Sequence, residues 1–370
     1  MANLIGISLG IWLVLAGVAQ AQIKVGVAGP LTGPSRAFGT QFKNGASQAI
    51  EDINNAGGIL GETISADYGD DAATVAKGLQ IANQFVADKV NYVIGHFNSD
   101  VTLPASDIYE KNGILEITPA STNPEITERG MWNIFRTCGR DDQQGEVAGI
   151  YIIEHFNGKN IAVVDNQTIY GKGLADQVRA TLRAHGTKEV LFDTIDVGET
   201  DYSNLIAKLK ALKVDLIFVA AEHTEGALLL KQMRAKGDNA VMMGGDGFST
   251  SQFAVLAGPA AKGVLMTFSP DPRLRPEARE VVERFRAKRI EPEAYTLYSY
   301  AAMQLIQEAA ERTESANSKK IAAEIHTGAR FKTVIGDLSF NQKGDITRFD
   351  YVMYIWEPDA GGKLIYKQIR

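Results

Sequence analysis

The chain has 370 residues, a formal net charge of −6, 45% hydrophobic and 22% charged residues. These values are ordinary for a soluble globular protein of about two domains. Lysine and arginine are not clustered anywhere in the sequence, which argues against a nucleic-acid-binding protein.

The first 21 residues have the composition of a secretory signal peptide. Residues 4–18 are uncharged and mostly apolar, and an Ala-Gln-Ala cleavage pattern follows at residues 19–21. The apolar run is too short for a membrane span. No lysine or arginine precedes it, so either the start codon lies elsewhere or the α-amino group supplies the usual charge. We predict a signal peptide over residues 1–21, cleavage after Ala21 and export.

The next part of the chain alternates short apolar strands with amphipathic helices. Strands are predicted at residues 22–28, 63–68, 92–94 and 114–117. Helices are predicted between them, at residues 42–56, 73–88 and 101–111. This order is typical of a parallel sheet with helices on both faces.

The same alternation restarts after Cys138. Helices are predicted at residues 143–156, 171–185, 202–213 and 224–236, and strands at residues 160–165, 190–195, 215–220 and 240–243. The pattern changes from Gly263 onward. A turn-rich connector is followed by helices at residues 276–288, 295–310 and 318–326, and then by short strands at residues 336–340 and 351–356. The sequence therefore predicts an α/β protein with two units and a tail that returns to an earlier sheet.

The sequence lacks the common motifs of catalysis and cofactor binding. No phosphate loop, zinc-protease helix, nucleophile elbow or paired-cysteine motif is present. The five histidines are scattered without metal-ligand spacing, and we expect them at the surface or as helix caps. The one cysteine, Cys138, cannot form an intramolecular disulfide, and we expect it to be buried and inert. We predict no enzymatic activity, no cofactor and no metal site.

Four strand ends carry polar residues that could form one site. Ser99 follows the strand at residues 92–94 and lies at the start of a helix, where free N–H groups and the helix dipole favour an anion. Thr122 follows the next strand. Glu222 and the glycine-flanked Asp246 follow two strands of the second unit. If the units face each other across a cleft, these groups suit a zwitterion. The alternatives are that Ser99 only caps its helix and that the acids lie in solvent.

Several segments together resemble a known family. They are Ile-Lys-Val-Gly-Val at 23–27, Gly-His-Phe-Asn-Ser at 95–99, Ile-Thr-Pro-Ala at 117–120, Tyr-Gly-Lys-Gly-Leu-Ala at 170–175 and Met-Gly-Gly-Asp-Gly at 243–247. In these segments the chain resembles the periplasmic leucine/isoleucine/valine-type solute-binding proteins of ABC importers, over essentially the whole mature chain.

The resemblance implies a type I periplasmic binding protein fold. Its two Rossmann-like lobes, each with a parallel central sheet, are joined by a three-crossover hinge and close on the ligand. The N-terminal lobe would comprise residues 22–140 and 271–349, and the C-terminal lobe residues 141–270 and 350–370. The implied partners are an amino acid and an ABC permease, with a monomeric chain and no nucleic acid.

The resemblance also implies roles for individual residues. Ser99 and Thr122 would bind the ligand carboxylate, and the Ala120 carbonyl would accept a hydrogen bond from the ammonium. Asp246 stands where the family has an acid that pairs with the ammonium, and Tyr170 matches an aromatic residue that covers the ligand. The ligand-binding residues expected on this basis are Ser99, Ala120, Thr122, Asp246, Tyr170, Phe97, Asn98, Phe38, Glu222 and Gly247.

Other positions depart from the family pattern. Phe97 stands where a smaller aliphatic residue adjoins the ligand, so we expect a smaller pocket. Phe38 stands where the family has an aromatic residue that carries a hydroxyl. Glu222 also stands at an aromatic position of the family, and it adds a carboxylate near the cleft. The family disulfide positions fall on Ala73 and Asn98, so that bridge is absent.

These expectations predict that the protein captures a neutral amino acid with a small or branched aliphatic side chain. Glu222 would instead favour a polar or cationic side chain or a displaced ammonium. The remaining alternatives are an aromatic acid on the same fold and a ligand-sensing module for a signalling partner.

Overall fold

The computed structural model describes residues 22–348 and 351–369, so the predicted signal peptide lies outside the described residues. Two sheets dominate this part of the chain. The strands of the first sheet are β1 (Gln22–Gly29), β2 (Thr63–Asp70), β3 (Tyr92–Ile94), β4 (Leu115–Thr118) and β5 (Ile134–Arg136). The strands of the second are β6 (Ile161–Asp165), β7 (Leu191–Thr194), β8 (Leu216–Ala220), β9 (Val241–Gly244), β10 (Leu265–Phe268), β11 (Val352–Pro358) and β12 (Leu364–Gln368). The predicted α/β class is confirmed.

The first sheet is parallel, with the order β2-β1-β3-β4-β5. One row of its register joins Val27, Ile94, Ile117 and Phe135 across four strands. These four apolar side chains are buried, as expected for a sheet covered on both faces. Because β3 and β4 are parallel neighbours, the loops after them emerge side by side at one edge, where α/β proteins bind ligands.

The second sheet has the order β12-β11-β10-β9-β8-β6-β7. Its strands from β6 to β10 are parallel, and β11 and β12 add an antiparallel edge. The loops after β8 and β9 therefore also share an edge, and they carry Glu222 and Asp246.

Helices cover the faces of the sheets. They are α1 (Arg36–Asn55), α2 (Val75–Ala87), α3 (Ser99–Lys111), α4 (Glu125–Glu128), α5 (Asp141–His155), α6 (Ile169–Ala184), α7 (Ser203–Ala211), α8 (His223–Ala235), α9 (Ser251–Ala257), α10 (Arg279–Ala287), α11 (Thr296–Thr313) and α12 (Ser318–His326). Although α11 follows β10 of the second sheet in sequence, it packs on α1, β3 and β4 of the first unit. The chain thus passes to the second sheet after β5, returns to the first after β10, and crosses again before β11. Among the described residues, no helix is long and apolar enough to cross a membrane.

A buried arginine fixes the chain near these crossings. The Arg136 guanidinium is fully buried and donates to the carbonyls of Ser121 and Asn123 at 2.9 and 3.1 Å. It also pairs with Asp345 at 2.7 Å, and Asp345 in turn pairs with Arg140 at 2.8 Å. The loop after β4 is therefore stabilised by Arg136, at the crossing after β5, and by Asp345, at the crossing before β11.

The strand predicted at residues 336–340 is wrong. This segment forms only isolated bridges, from Leu338 to Phe331 and from Phe340 to Ile346. Gly336 has a φ of +91°, which interrupts an extended chain. The helix predicted from residue 73 begins instead at Val75, because the preceding alanine, Ala73, has a φ of +56°. The pattern also missed β5, β10, β12, α4 and α9, which are short or lie in turn-rich sequence.

Candidate functional site

A cavity of about 280 Å³ lies between the two sheet edges. It is lined by Phe97, Asn98, Ser99, Ala120, Thr122, Tyr170, Glu222, Asp246, Gly247 and Tyr295. Nine of these ten residues were predicted from the sequence to bind the ligand. The tenth predicted residue, Phe38, is not part of the lining and packs behind Phe97. The described lining residues include neither lysine nor arginine.

The first wall of the cavity consists of Ser99, Ala120 and Thr122. Ser99 is the first residue of α3, so its N–H is among those that the helix itself leaves unpaired. The three residues are at most 5% exposed, and the Ser99 hydroxyl oxygen accepts from the backbone N–H of Asn123 at 3.3 Å. Hydroxyls and backbone N–H groups at a helix start suit an anion.

The second wall is centred on Asp246. Its carboxylate accepts from the hydroxyls of Tyr295 and Tyr170 at 2.7 and 2.9 Å and from the Gln144 amide at 3.2 Å. The Gln144 oxygen accepts the Asp246 backbone N–H at 2.7 Å. Burial raises the pKa of Asp246, and the three donors oppose this change by stabilising the carboxylate. Gly247 donates its N–H to Tyr170 at 3.2 Å. Gly247, Tyr170 and Glu222 belong to the same wall.

A further buried acid lies behind this wall. Asp141 is fully buried at the start of α5 and accepts from the Gln144 amide at 3.4 Å. Burial, and then the neighbouring Asp246, raise the pKa of Asp141 well above its usual range. A cation in the cavity beside Asp246 would relieve the repulsion between the two acids.

Glu222 forms a different contact, with the first lobe. Its carboxylate accepts from the Ser35 hydroxyl and from the Asn98 amide, both at 2.5 Å. Burial, and then the nearby Glu225, raise the pKa of Glu222 to about 7. Glu222 is thus both a part of the cavity lining and a hydrogen-bonded connection across the cleft.

Aromatic rings form the apolar end of the cavity. The Phe97 and Phe38 rings stack with centroids 4.2 Å apart and planes 13° apart. Tyr295 lies 5.8 Å from Phe38 and 6.0 Å from Phe97, and Phe42 lies edge-on to Phe97. The buried rings of Phe42 and Tyr295 pack against this stack and hold Phe97 in place at the edge of the cavity.

Three functional candidates were missed by sequence reasoning: Tyr295, Gln144 and Ser35. Tyr295 precedes α11 and Gln144 lies inside α5, so neither follows a strand. Ser35 does lie in the loop after β1, at the same edge as Ser99, and its position after a strand could have identified it.

The prediction that the histidines are surface groups or caps is wrong for two of them. His96 is fully buried between Asp71 and Tyr109, at 2.7 and 3.0 Å. His223 is also buried, which lowers its pKa to about 4. Cys138 is buried, as predicted. Among the described residues, no group of three or more histidine, cysteine or acidic residues could hold a metal ion.

Two sheets joined by several crossings, with a cavity between their carboxyl edges, define a bilobal solute-binding protein. Residues 22–363 match the model of the periplasmic binding protein family. The chain belongs to this family, and the predicted recognition is confirmed.

Relatives and solved structures agree with this assignment. The chain is 49% identical over 363 residues to the Leu/Ile/Val-binding protein homolog 1 of Brucella melitensis, covering 98% of each chain. It is similar to the crystal structure of a leucine-binding protein, LivK, from Thermotoga maritima, with a TM-score of 0.85, 26% identity and coverage of 93% and 97%. It also matches the branched-chain amino acid binding protein LivJ of Streptococcus pneumoniae in complex with isoleucine, with a TM-score of 0.85, 27% identity and coverage of 94% and 99%.

Proposed function

We propose that this protein captures a neutral amino acid with a small or branched aliphatic side chain and delivers it to an ABC permease. The observation that carries the proposal is an uncharged wall of hydroxyls and backbone N–H groups that faces a buried carboxylate across one cavity. The names of the Brucella, Thermotoga and Streptococcus proteins support the same ligand class.

The ligand would be held at both ends. Its carboxylate would accept hydrogen bonds from Ser99 and Thr122, and its ammonium would donate to Asp246 and to the Ala120 carbonyl. Hydrogen bonds to charged groups contribute about 1.5–3 kcal/mol each, so a few of them supply the ~8 kcal/mol of micromolar binding. The zwitterion contacts would therefore define the ligand class, and Phe97 would define the preference within it.

Capture would proceed by closure of two lobes, residues 22–140 with 271–349 and residues 141–270 with 350–370. A ligand that contacts both walls stabilises the closed state and shifts the equilibrium toward it. The protein would act as a periplasmic monomer, released from its signal peptide after Ala21, and would bind its ligand without converting it.

A thermal-shift screen of the mature chain with the twenty amino acids, benzoate and 4-hydroxybenzoate tests the proposal. We expect the largest increases in melting temperature with small or branched aliphatic amino acids. Stabilisation by the aromatic acids alone would contradict the ammonium site at Asp246, because these acids bring no cation to that buried carboxylate.

Glu222 favours a second candidate within the same class, a polar or cationic amino acid. Its carboxylate lines the cavity together with Asp246. The same screen on Glu222→Gln separates the candidates. Selective loss of polar or cationic ligands would support the second candidate, and an unchanged ligand order would support the first.

A further inference from the structure

The two lobes meet directly at the amino end of α6. Ile169, the first residue of this helix, donates its backbone N–H to the Asp100 carboxylate at 3.0 Å. Its carbonyl accepts from the Asn123 side-chain amide at 3.0 Å. Both backbone groups of one second-lobe residue are therefore bound by side chains of the first lobe. The carboxylate also lies at the positive end of the α6 dipole, where a negative charge is favoured.

A glycine in the same helix makes this contact possible. A Cβ atom on Gly173 would lie 2.5 Å from the Asn123 amide nitrogen, closer than non-bonded atoms approach. Any larger residue at position 173 would displace the Asn123 side chain from Ile169. The backbone of Gly173 is otherwise ordinary helix, so the clearance toward Asn123 is what this position requires.

These contacts lie outside the cavity but next to its first wall. None of Asp100, Asn123, Ile169 and Gly173 is among the residues that line the cavity. Asp100 directly follows Ser99, and Asn123 directly follows Thr122. The Asn123 backbone N–H also donates to the Ser99 hydroxyl at 3.3 Å. A ligand carboxylate held by Ser99 and Thr122 would fix the two segments that reach across to α6.

We infer that Asp100, Asn123, Ile169 and Gly173 form a clasp that stabilises the closed state through contacts between the lobes. The inference rests on the proposed function, since the closed state is the one that retains the ligand. The clasp residues are positioning residues: they determine how tightly the lobes close over the ligand and do not contact it.

The decisive variant is Gly173→Ala. Alanine is favoured over glycine inside a helix, so the melting temperature of the ligand-free variant should stay equal or rise. Displacement of Asn123 should nevertheless weaken binding of L-alanine, L-valine and L-leucine by about tenfold in calorimetry, the equivalent of ~1.4 kcal/mol. If Gly173 had only a structural role, a variant with an unchanged or higher melting temperature would also keep its affinity for amino acids. Lys172→Ala, at an exposed position of the same helix, is the matched control and should bind as the wild type does.

Two further variants test the mechanism. Asp100→Ala should weaken binding severalfold, since it removes the other hydrogen bond to Ile169. Asn123→Ala removes the side chain that Gly173→Ala displaces, so combining the two should weaken binding no more than Asn123→Ala alone. Wild-type affinity in Gly173→Ala would overturn the clasp and leave the proposed function intact. A wild-type protein that binds none of the three amino acids would overturn the proposed function, and the inference with it.

Discussion

The two walls of the cavity differ in formal charge. The first wall, Ser99, Ala120 and Thr122, offers hydroxyls and backbone groups and carries no formal charge. The second wall contains Asp246 and Glu222, two acids with raised pKa values. An uncharged wall needs no counterion in the empty protein, whereas buried carboxylates are costly until a cation or enough donors reach them. The second wall should therefore be the more sensitive to the ligand, to pH and to substitution.

The largest expected effect is that of Asp246→Ala. This change removes the carboxylate that would pair with the ammonium, and we expect amino-acid affinity to fall about a hundredfold, or ~2.7 kcal/mol. Isothermal titration calorimetry measures the loss. Asp246→Asn keeps the shape and the contacts with the two tyrosines but lacks the charge, so it should bind nearly as weakly. Unchanged affinity in either variant would rule out the ammonium site.

A change of pH should act on the second wall through Glu222. Its pKa is about 7 in this structure, where Glu222 contacts Ser35 and Asn98, and should be near its ordinary value when the two lobes separate. The closed state then binds a proton at the Glu222 carboxyl more tightly than the open state does. Closure is therefore favoured below about pH 5 and weakened as the pH rises through 7. We expect affinity to fall up to about tenfold between pH 5.5 and 8. Calorimetry across this range should show a flatter profile for Glu222→Gln, and an identical profile would exclude Glu222 as the cause.

Substitution in the first wall should cost less. Ser99→Ala removes a hydroxyl but keeps the backbone N–H at the start of α3, which would still bind the ligand carboxylate. A hydrogen bond to a charged group contributes about 1.5–3 kcal/mol, and the remaining N–H group keeps part of the binding, so we expect affinity to fall about tenfold. A loss as large as that of Asp246→Ala would contradict the difference between the walls. Thr122→Val, with the same side-chain shape, serves as the parallel variant.

The smallest expected effect concerns selectivity. Phe97→Leu should open space at the apolar end and raise the affinity for leucine relative to alanine by about fivefold, which corresponds to the lower end of the about 1–3 kcal/mol that one methylene contributes. Competition binding with the two amino acids measures the ratio. Phe38, which stacks on Phe97 behind the cavity lining, supplies a control. Phe38→Leu should change the leucine-to-alanine affinity ratio less than Phe97→Leu does. An unchanged ratio in Phe97→Leu would refute the size argument.

The first wall was accessible from the sequence because its signals are local. Ser99 follows a short apolar strand and begins a helix, and Thr122 follows the next strand. Parallel neighbours in one register place such loops side by side, so the strand pattern alone brings the two residues together. The α/β class and most helices followed from the same periodicity.

The second wall was accessible only in part. The positions of Asp246 and Glu222 follow from strand ends, but their surroundings depend on residues far away in sequence. Tyr295, which directly precedes α11, donates to Asp246 from a part of the chain that packs on the first sheet. Gln144 donates to Asp246 from within α5. Neither has a local signal. The contact of Glu222 with Ser35 and Asn98 depends on the closed arrangement of the lobes, which periodicity does not specify.

The Arg136–Asp345 pair has a consequence for redesign. Arg136 donates to the carbonyls on both sides of Thr122 and pairs with Asp345 in a crossing segment, so the loop that we propose binds the ligand carboxylate is held independently of the residues opposite it. Changes to Glu222, Tyr170 or Phe97 leave that brace untouched. If the proposed carboxylate site is correct, a biosensor built on this scaffold would accept changes for new ligand side chains while its contacts with the common carboxylate end stay constant.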